Sequence, residues 1–186
     1  MNIRLAIRTA LLEGKHKTHK NQYGCLMVYL DTNKEQWGAM EKMIEEDDLY
    51  NPEDDPSYGK ELTPHVTILY GLHEDIPEAE IEEKIEKIKS PKIKVGGISA
   101  FKNDKFEVLK FDIDSQDMHD LNKDFREFPY TNDYPKYHPH CTIAYLKPNM
   151  ADKYIEKLKD LIHIDMEPSS IVYSKADGSK NTYQMD

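Results

Sequence analysis

The sequence has few of the features that mark secreted, membrane-spanning or polymer-binding proteins. Its 186 residues include two cysteines, Cys25 and Cys141, too few for a disulfide framework, which favours reduced thiols in a cytosol. No apolar run approaches the roughly 20 residues that cross a bilayer, and no secretory hydrophobic segment is visible. Basic residues are also outnumbered, with 25 Lys and Arg against 35 Asp and Glu, which argues against a protein that tracks many nucleic-acid phosphates. We therefore expect a cytoplasmic protein with no membrane partner and no extended nucleic-acid partner.

The formal net charge of −10 is unevenly distributed along the chain. Residues 1–20 hold five Lys or Arg against Glu13 alone, a net charge of +4, so the other 166 residues carry −14. Residues 3–12 have the pattern of a short amphipathic helix with Arg4 and Arg8 on one face. We interpret residues 1–21 as a basic helical extension that docks on the domain, and an organellar transit peptide is the alternative.

The chain as a whole has the composition of a folded domain, with 38% apolar and 10% aromatic residues. Apolar periodicity predicts a similar series of strands and helices twice. In the first half we expect a strand over 24–31, a helix over 34–46, a strand over 65–70 and a helix over 77–89. In the second half we expect strands over 92–100 and 106–113, a helix over 116–126, a strand over 140–145, a helix over 150–162 and a closing strand over 164–174.

The two halves agree most closely at one strand. Pro64–Tyr70 reads PHVTILY and Pro139–Tyr145 reads PHCTIAY, five identities in seven positions at an offset of 75. An internal repeat of this kind indicates a domain built from two similar halves. We predict a bilobal, internally duplicated α+β domain over residues 22–174, with repeats at about 22–90 and 91–174. A polar tail over 175–186 follows.

The repeated strand carries a His-x-Thr motif with a chemical meaning. Residues i and i+2 of a strand share one face, about 6.5–7 Å apart, so His65 projects with Thr67, and His140 with Thr142. The residues between them should pack under helices. If the two strands meet, two imidazoles and two hydroxyls converge on one cleft, an arrangement that suits a phosphate. One neutral and one protonated imidazole then serve as general base and general acid, with no metal and no cofactor.

Two other interpretations of the histidines stay open. His138 and His140 have a spacing that can ligate zinc, although His65 lacks a companion for a closed site. The histidines can also be purely structural. The repetition of both His and Thr favours paired acid–base catalysis.

The two motifs and the order of elements resemble the two-histidine (2H) phosphoesterase superfamily over about residues 22–174. The resemblance implies two antiparallel sheets that line a central cleft, with helices outside. It also implies that His65 and His140 are the acid–base pair and that Thr67 and Thr142 bind the phosphate. The pseudo-symmetry leaves open which histidine is the base.

Within this superfamily, the chain looks most like the bacteriophage anti-CBASS nucleases. Tyr23 stands just before a Gly-Cys-Leu-Met strand, and Glu167 and Tyr173 lie in the closing strand. The resemblance implies that Tyr23 and Tyr173 contact bases or ribose and that Glu167 reads a purine edge or orients the site. The alternatives are packed core tyrosines and a surface carboxylate.

The resemblance implies a metal-independent phosphodiesterase that cleaves cyclic di- or oligonucleotide messengers, such as 3′,3′-cGAMP or cyclic triadenylate, to evade CBASS antiviral immunity. Its location would be the host bacterial cytoplasm if a phage encodes it. One alternative is an RNA 2′,3′-cyclic phosphodiesterase that acts on RNA ends, and another is a non-enzymatic cyclic-nucleotide binder. The acidic body favours a small ligand over a long polymer, and the oligomeric state stays open.

Overall fold

Seven strands and four α-helices make up the described part of the chain. The fold is that of a computed structural model in which residues 23–52, 55, 57–132, 136–161 and 163–185 are described. The strands are β1 Gly24–Thr32, β2 His65–Leu72, β3 Lys94–Lys102, β4 Glu107–Asp114, β5 His140–Leu146, β6 Met166–Ser174 and β7 Lys180–Gln184. The helices are α1 Lys34–Met43, α2 Glu78–Ile85, α3 Gln116–Phe125 and α4 Ala151–Leu158. Every strand and helix that the sequence predicts over 24–174 is present, with ends that differ by a few residues.

The strands form one antiparallel sheet in the order β3-β4-β5-β2-β1-β6-β7. The expectation of two separate sheets is therefore wrong for the described residues. The two halves of the sheet join between β2 and β5, where Val66 lies in register with Cys141. Both side chains are fully buried, so apolar packing supports this junction. The junction consequently sets the two strands that carry the His-x-Thr motifs side by side.

The closing strand returns to the first half of the sheet. β6 pairs with β1 along most of its length, and β7 then pairs with β6 at the edge. The segment 175–186, which the sequence predicts as a polar tail, thus contains a strand whose side chains alternate between exposed and half-buried. The sheet has four strands on one side of the junction and three on the other. The predicted basic helix at 1–21 lies outside the described residues.

Helices cover one face of the sheet. The residues between His and Thr in each motif, Val66 and Cys141, are fully buried on this face, as predicted. Each fully buried aliphatic side chain contributes about 1.5–3 kcal/mol. The buried side chains of the four helices join the same apolar cluster as the sheet: Trp37, Met40, Ile81, Ile85, Met118, Phe125, Tyr154 and Leu158. The side chains of the two motifs point to the opposite face of the sheet.

Local signals explain where the helices begin. The Asn33 side chain accepts hydrogen bonds from the amides of Glu35 and Gln36 at the start of α1. The Ser115 hydroxyl caps α3, accepting a hydrogen bond from the amide of Met118 at 3.2 Å. None of the described helices is long and apolar enough to cross a membrane.

Candidate active site

The two His-x-Thr motifs lie on the face of the sheet opposite the helices, which we call the His face. Val66 and Cys141 are in register and point toward the helices. The residues that flank them therefore point away from the helices on two adjacent strands. Because β2 and β5 are antiparallel and Val66 lies across from Cys141, Thr67 lies across from His140, and His65 lies across from Thr142. The structure thus brings the four predicted side chains to one place.

The two imidazoles have the same hydrogen-bonding pattern. Nδ1 of His65 lies 2.8 Å from the carbonyl oxygen of Thr63, and Nδ1 of His140 lies 2.7 Å from the carbonyl oxygen of His138. A carbonyl oxygen only accepts hydrogen bonds, so each Nδ1 must carry a proton. In a neutral ring, Nε2 then holds the lone pair, and in a charged ring Nε2 carries the proton that can be donated. Proton exchange at both histidines is therefore confined to Nε2.

The surroundings of His140 make it unlike an ordinary histidine. Burial lowers the pKa of His140 below its usual value of 6.5, and the positive charges of Lys110 and His65 lower this pKa further. The hydrogen bond to His138 and the carboxylate of Asp112 act in the opposite direction without reversing the shift. At neutral pH the His140 ring is neutral and Nε2 can accept a proton. Charged neighbours on β4 therefore distinguish the surroundings of His140.

The charged groups beside His140 come from β4, and the sequence analysis missed them. Asp112 lies across from His140, and Lys110 lies across from Thr142. Lys110 is 3% exposed and pairs with the carboxylate of Asp112. Lys110 and Asp112 share a face because they are two residues apart on β4, but their position next to β5 depends on the strand order. A buried cation is thus placed beside one of the two phosphate-binding candidates.

The hydroxyl of Thr67 lies next to a thiol. The Thr67 side chain hydrogen-bonds to Cys25, whose pKa is raised by burial to about 12. The pKa of Cys141 is likewise raised by burial to about 12. Both cysteines are therefore neutral thiols, and Thr67 has an uncharged neighbour. The Tyr137 hydroxyl also donates to the backbone carbonyl of Thr67 at 2.7 Å, which ties the segment before β5 to β2.

A second aromatic neighbour of the site was also missed. Tyr29 of β1 lies across from His65, with ring centroids 5.9 Å apart. The ammonium of Lys180 on β7 donates to the Tyr29 hydroxyl at 3.3 Å. The edge strand β7, absent from the sequence prediction, thus supports the rim of the His face beside His65.

The three predicted substrate contacts fall in three different places. Tyr23 stacks on His73, with ring centroids 5.7 Å apart, and meets the edge of Tyr70. Tyr70 follows His65 by five residues on β2, about 16 Å along a strand. Tyr23 is therefore at the far end of the His face. Glu167 is exposed across from Asp31, at the rim of the sheet.

Tyr173 does not lie on the His face. It is 5% exposed, lies across from Leu26 and belongs to the apolar cluster under the helices. A base contact by Tyr173 is incompatible with this position. The apolar residue two positions earlier, Ile171, shares its face and was a signal for this placement.

One cavity of the described part of the chain lies away from the two motifs. Within the described ranges, no three His, Cys, Asp or Glu side chains come together as a metal site would require. A cavity of about 450 Å³ lies between the end of α2 and strands β6 and β7. Its lining includes Ile171 and Tyr183 on the helix side of the sheet and contains neither motif.

The sheet with two His-x-Thr motifs on its open face defines an enzyme of the 2H phosphoesterase class. The chain belongs to the 2′-5′ RNA ligase superfamily, whose family model matches residues 53–180. Among solved structures it is similar to Kluyveromyces marxianus Usb1, with a TM-score of 0.55 and 12% identity over 90% of this chain and 100% of that chain. The structure of the same Usb1 with uridine monophosphate gives a TM-score of 0.52 and 13% identity over the same shares. No curated protein sequence matches the chain. The structural similarities support the fold.

Proposed function

We propose that this protein is a metal-independent phosphodiesterase in which His140 is the general base and His65 the general acid. The observation that carries the proposal is the matched pair of histidines, each with Nδ1 bonded to the carbonyl oxygen two residues earlier. The lowered pKa of His140 supports its role as the base. Each such group typically contributes about 10²–10⁴ in rate.

The proposed step uses the ribose itself as nucleophile. Nε2 of His140 takes the proton of a ribose 2′-hydroxyl as its oxygen forms a bond to the adjacent phosphorus. The bond from phosphorus to the 5′ oxygen breaks, and Nε2–H of His65 protonates that oxygen. The products are a 2′,3′-cyclic phosphate and a free 5′-hydroxyl. Holding the 2′-hydroxyl in line supplies much of the acceleration through proximity.

The hydroxyls complete the site in this proposal. Thr67 and Thr142 donate to the two non-bridging oxygens of the phosphate, where negative charge grows in the transition state. Thr67 lies on β2 and Thr142 on the neighbouring strand β5, which supports one contact to the phosphate from each strand. The buried cation of Lys110, across from Thr142, adds positive potential on that side.

The substrate class that we favour is a small cyclic di- or oligonucleotide. The net charge of −14 outside residues 1–20 disfavours a long polymer, whose many phosphates would need a basic track. A ligand with two or three phosphates needs neutralisation only at the site. The resemblance to anti-CBASS nucleases supports cyclic immune messengers and a bacterial cytoplasmic location. Glu167 at the rim and Tyr23 at the far end of the His face are then contacts for bases or ribose.

A second substrate class is an RNA end that carries a 2′,3′-cyclic phosphate. The family membership and the similarity to Usb1 with uridine monophosphate favour it. Water would then be the nucleophile that His140 deprotonates. Its oxygen would bond to phosphorus, the bond to the 3′ oxygen would break, and His65 would protonate that oxygen. The product would be a 2′-phosphate with a free 3′-hydroxyl.

The test is a substrate panel in EDTA. 3′,3′-cGAMP, cyclic triadenylate and an RNA oligonucleotide with a 2′,3′-cyclic end are incubated with the protein and resolved by chromatography and mass spectrometry. Chromatography is required because opening a ring by transesterification leaves the mass unchanged. We expect the cyclic nucleotides to open faster than the RNA end. The reverse order would favour the second class, and three intact substrates would overturn the proposal.

A further inference from the structure

Phe101 is an exposed aromatic side chain beside His140. It lies near the end of β3 and is 38% exposed, although it is a large apolar residue. Its ring centroid is 4.9 Å from that of His140, with the planes at 89°, and 6.5 Å from that of His138. An apolar ring thus reaches solvent next to the proposed general base.

The ring is held in place from below by a buried cation. Nζ of Lys110 lies 4.3 Å from the Phe101 centroid, a cation–π contact. Lys110 also donates to Ser99 Oγ at 2.8 Å and to Asp112, and Ser99 Oγ donates to Asp112 at 2.9 Å. The ammonium therefore uses its protons on two oxygens and one ring. Because these partners are fixed on β3 and β4, the position of Phe101 is set by the sheet.

A fixed, partly exposed aromatic ring is the group on which a nucleobase stacks. Base–aromatic stacking tolerates any sequence because every base has a π-face, and it is the usual way that proteins hold unpaired bases. A ring beside His140 is in reach of a nucleoside whose phosphate lies between the two histidines. Tyr70, which is 46% exposed, stands about 16 Å along β2 from His65.

We infer that Phe101 is the platform on which a nucleobase of the substrate stacks, next to the phosphate. The inference rests on the proposed function for its substrate but concerns binding, so it is tested without turnover. Lys110 is the positioning residue that holds the ring. The occupant is a nucleobase, purine or pyrimidine, joined to the ribose whose phosphate lies between the histidines.

The test compares two ligands that differ only in the base. AMP and ribose 5-phosphate are titrated calorimetrically into the wild-type protein, Phe101→Leu, Phe101→Trp and the control Tyr70→Leu. We expect AMP to bind more tightly than ribose 5-phosphate to the wild type by about 5- to 150-fold, the range of base–aromatic stacking. Phe101→Leu should lose most of this ratio, while Phe101→Trp and Tyr70→Leu should keep it.

Three results would overturn the inference. The first is that the wild type binds AMP and ribose 5-phosphate with equal affinity. The second is that Phe101→Leu keeps the wild-type ratio of the two affinities. The third is that Phe101→Leu loses affinity for both ligands by the same factor. Thermal unfolding checks that each variant is folded, and Phe101→Trp keeps the test valid if the leucine variant does not fold. If the wild type prefers AMP but cleaves none of the substrates, the proposed function is contradicted and the assignment of Phe101 as a stacking platform is not.

Discussion

Replacing either motif histidine by asparagine should remove activity while leaving the fold intact. Each ring makes a hydrogen bond to a nearby carbonyl, from His65 at 2.8 Å and from His140 at 2.7 Å. Loss of one such bond costs about 0.5–1.5 kcal/mol, a small part of the 5–15 kcal/mol that stabilises a typical domain. An asparagine amide can also replace the donor. We therefore expect the free energies of unfolding of His65→Asn and His140→Asn to lie within about 1.5 kcal/mol of the wild-type value.

The effect on turnover should be much larger. Loss of a general acid or base costs about 10²–10⁴ in kcat, equivalent to about 3–5 kcal/mol of transition-state stabilisation. Because both histidines act in one step, the double variant should be little worse than either single variant. The assay is the initial rate on the cleaved substrate, with urea unfolding of the same samples. His163→Asn, an exposed histidine after α4, is the control and should keep full activity. A single variant that retains a tenth of wild-type kcat would refute the reasoning.

Three further predictions concern pH and stability. The pKa of His140 is lowered, so the proposed base is protonated only in acid. In the pH profile of kcat/KM, the acid limb should therefore have its midpoint below pH 6.5. A midpoint at pH 7 or above would contradict this prediction. Gly71→Ala should cost more than about 3 kcal/mol in urea unfolding, because φ is +103° and a Cβ would sit 1.9 Å from the carbonyl oxygen of Thr131. Gly178→Ala, with φ +88° and nothing within 4 Å of the added Cβ, should cost only about 1–2 kcal/mol, and equal costs would refute the clash. Glu107→Leu should cost about 1–3 kcal/mol and Glu107→Gln less, because this 3% exposed carboxylate accepts the first amide of α4 at 2.7 Å.

The sequence predicts the elements and the central pair of motifs well because both are local patterns. Alternation along a strand is enough to place His65 with Thr67 and His140 with Thr142. The repeat then indicates that the two strands play equivalent parts. The buried faces of Val66 and Cys141 follow from the same period.

The features that the sequence misses depend on which strands are neighbours. Lys110 acts on His140 only because β4 lies next to β5, and Phe101 reaches the site only because β3 lies next to β4. The pairing of the closing strand with β1 sets Tyr173 across from Leu26. One register pair, Val66 with Cys141, makes a single sheet where two were expected. No local pattern encodes these pairings.

The most direct test of the central claim is a comparison of two cyclic dinucleotides in EDTA. The wild-type protein should open 3′,3′-cGAMP and leave its 2′-deoxy counterpart intact, because the deoxy ligand lacks the 2′-hydroxyl that His140 deprotonates in the proposed step. The first product should carry a 2′,3′-cyclic phosphate, detectable by ³¹P NMR. Opening of both ligands at similar rates, or of 3′,3′-cGAMP only when a divalent metal is added, would contradict the proposed mechanism.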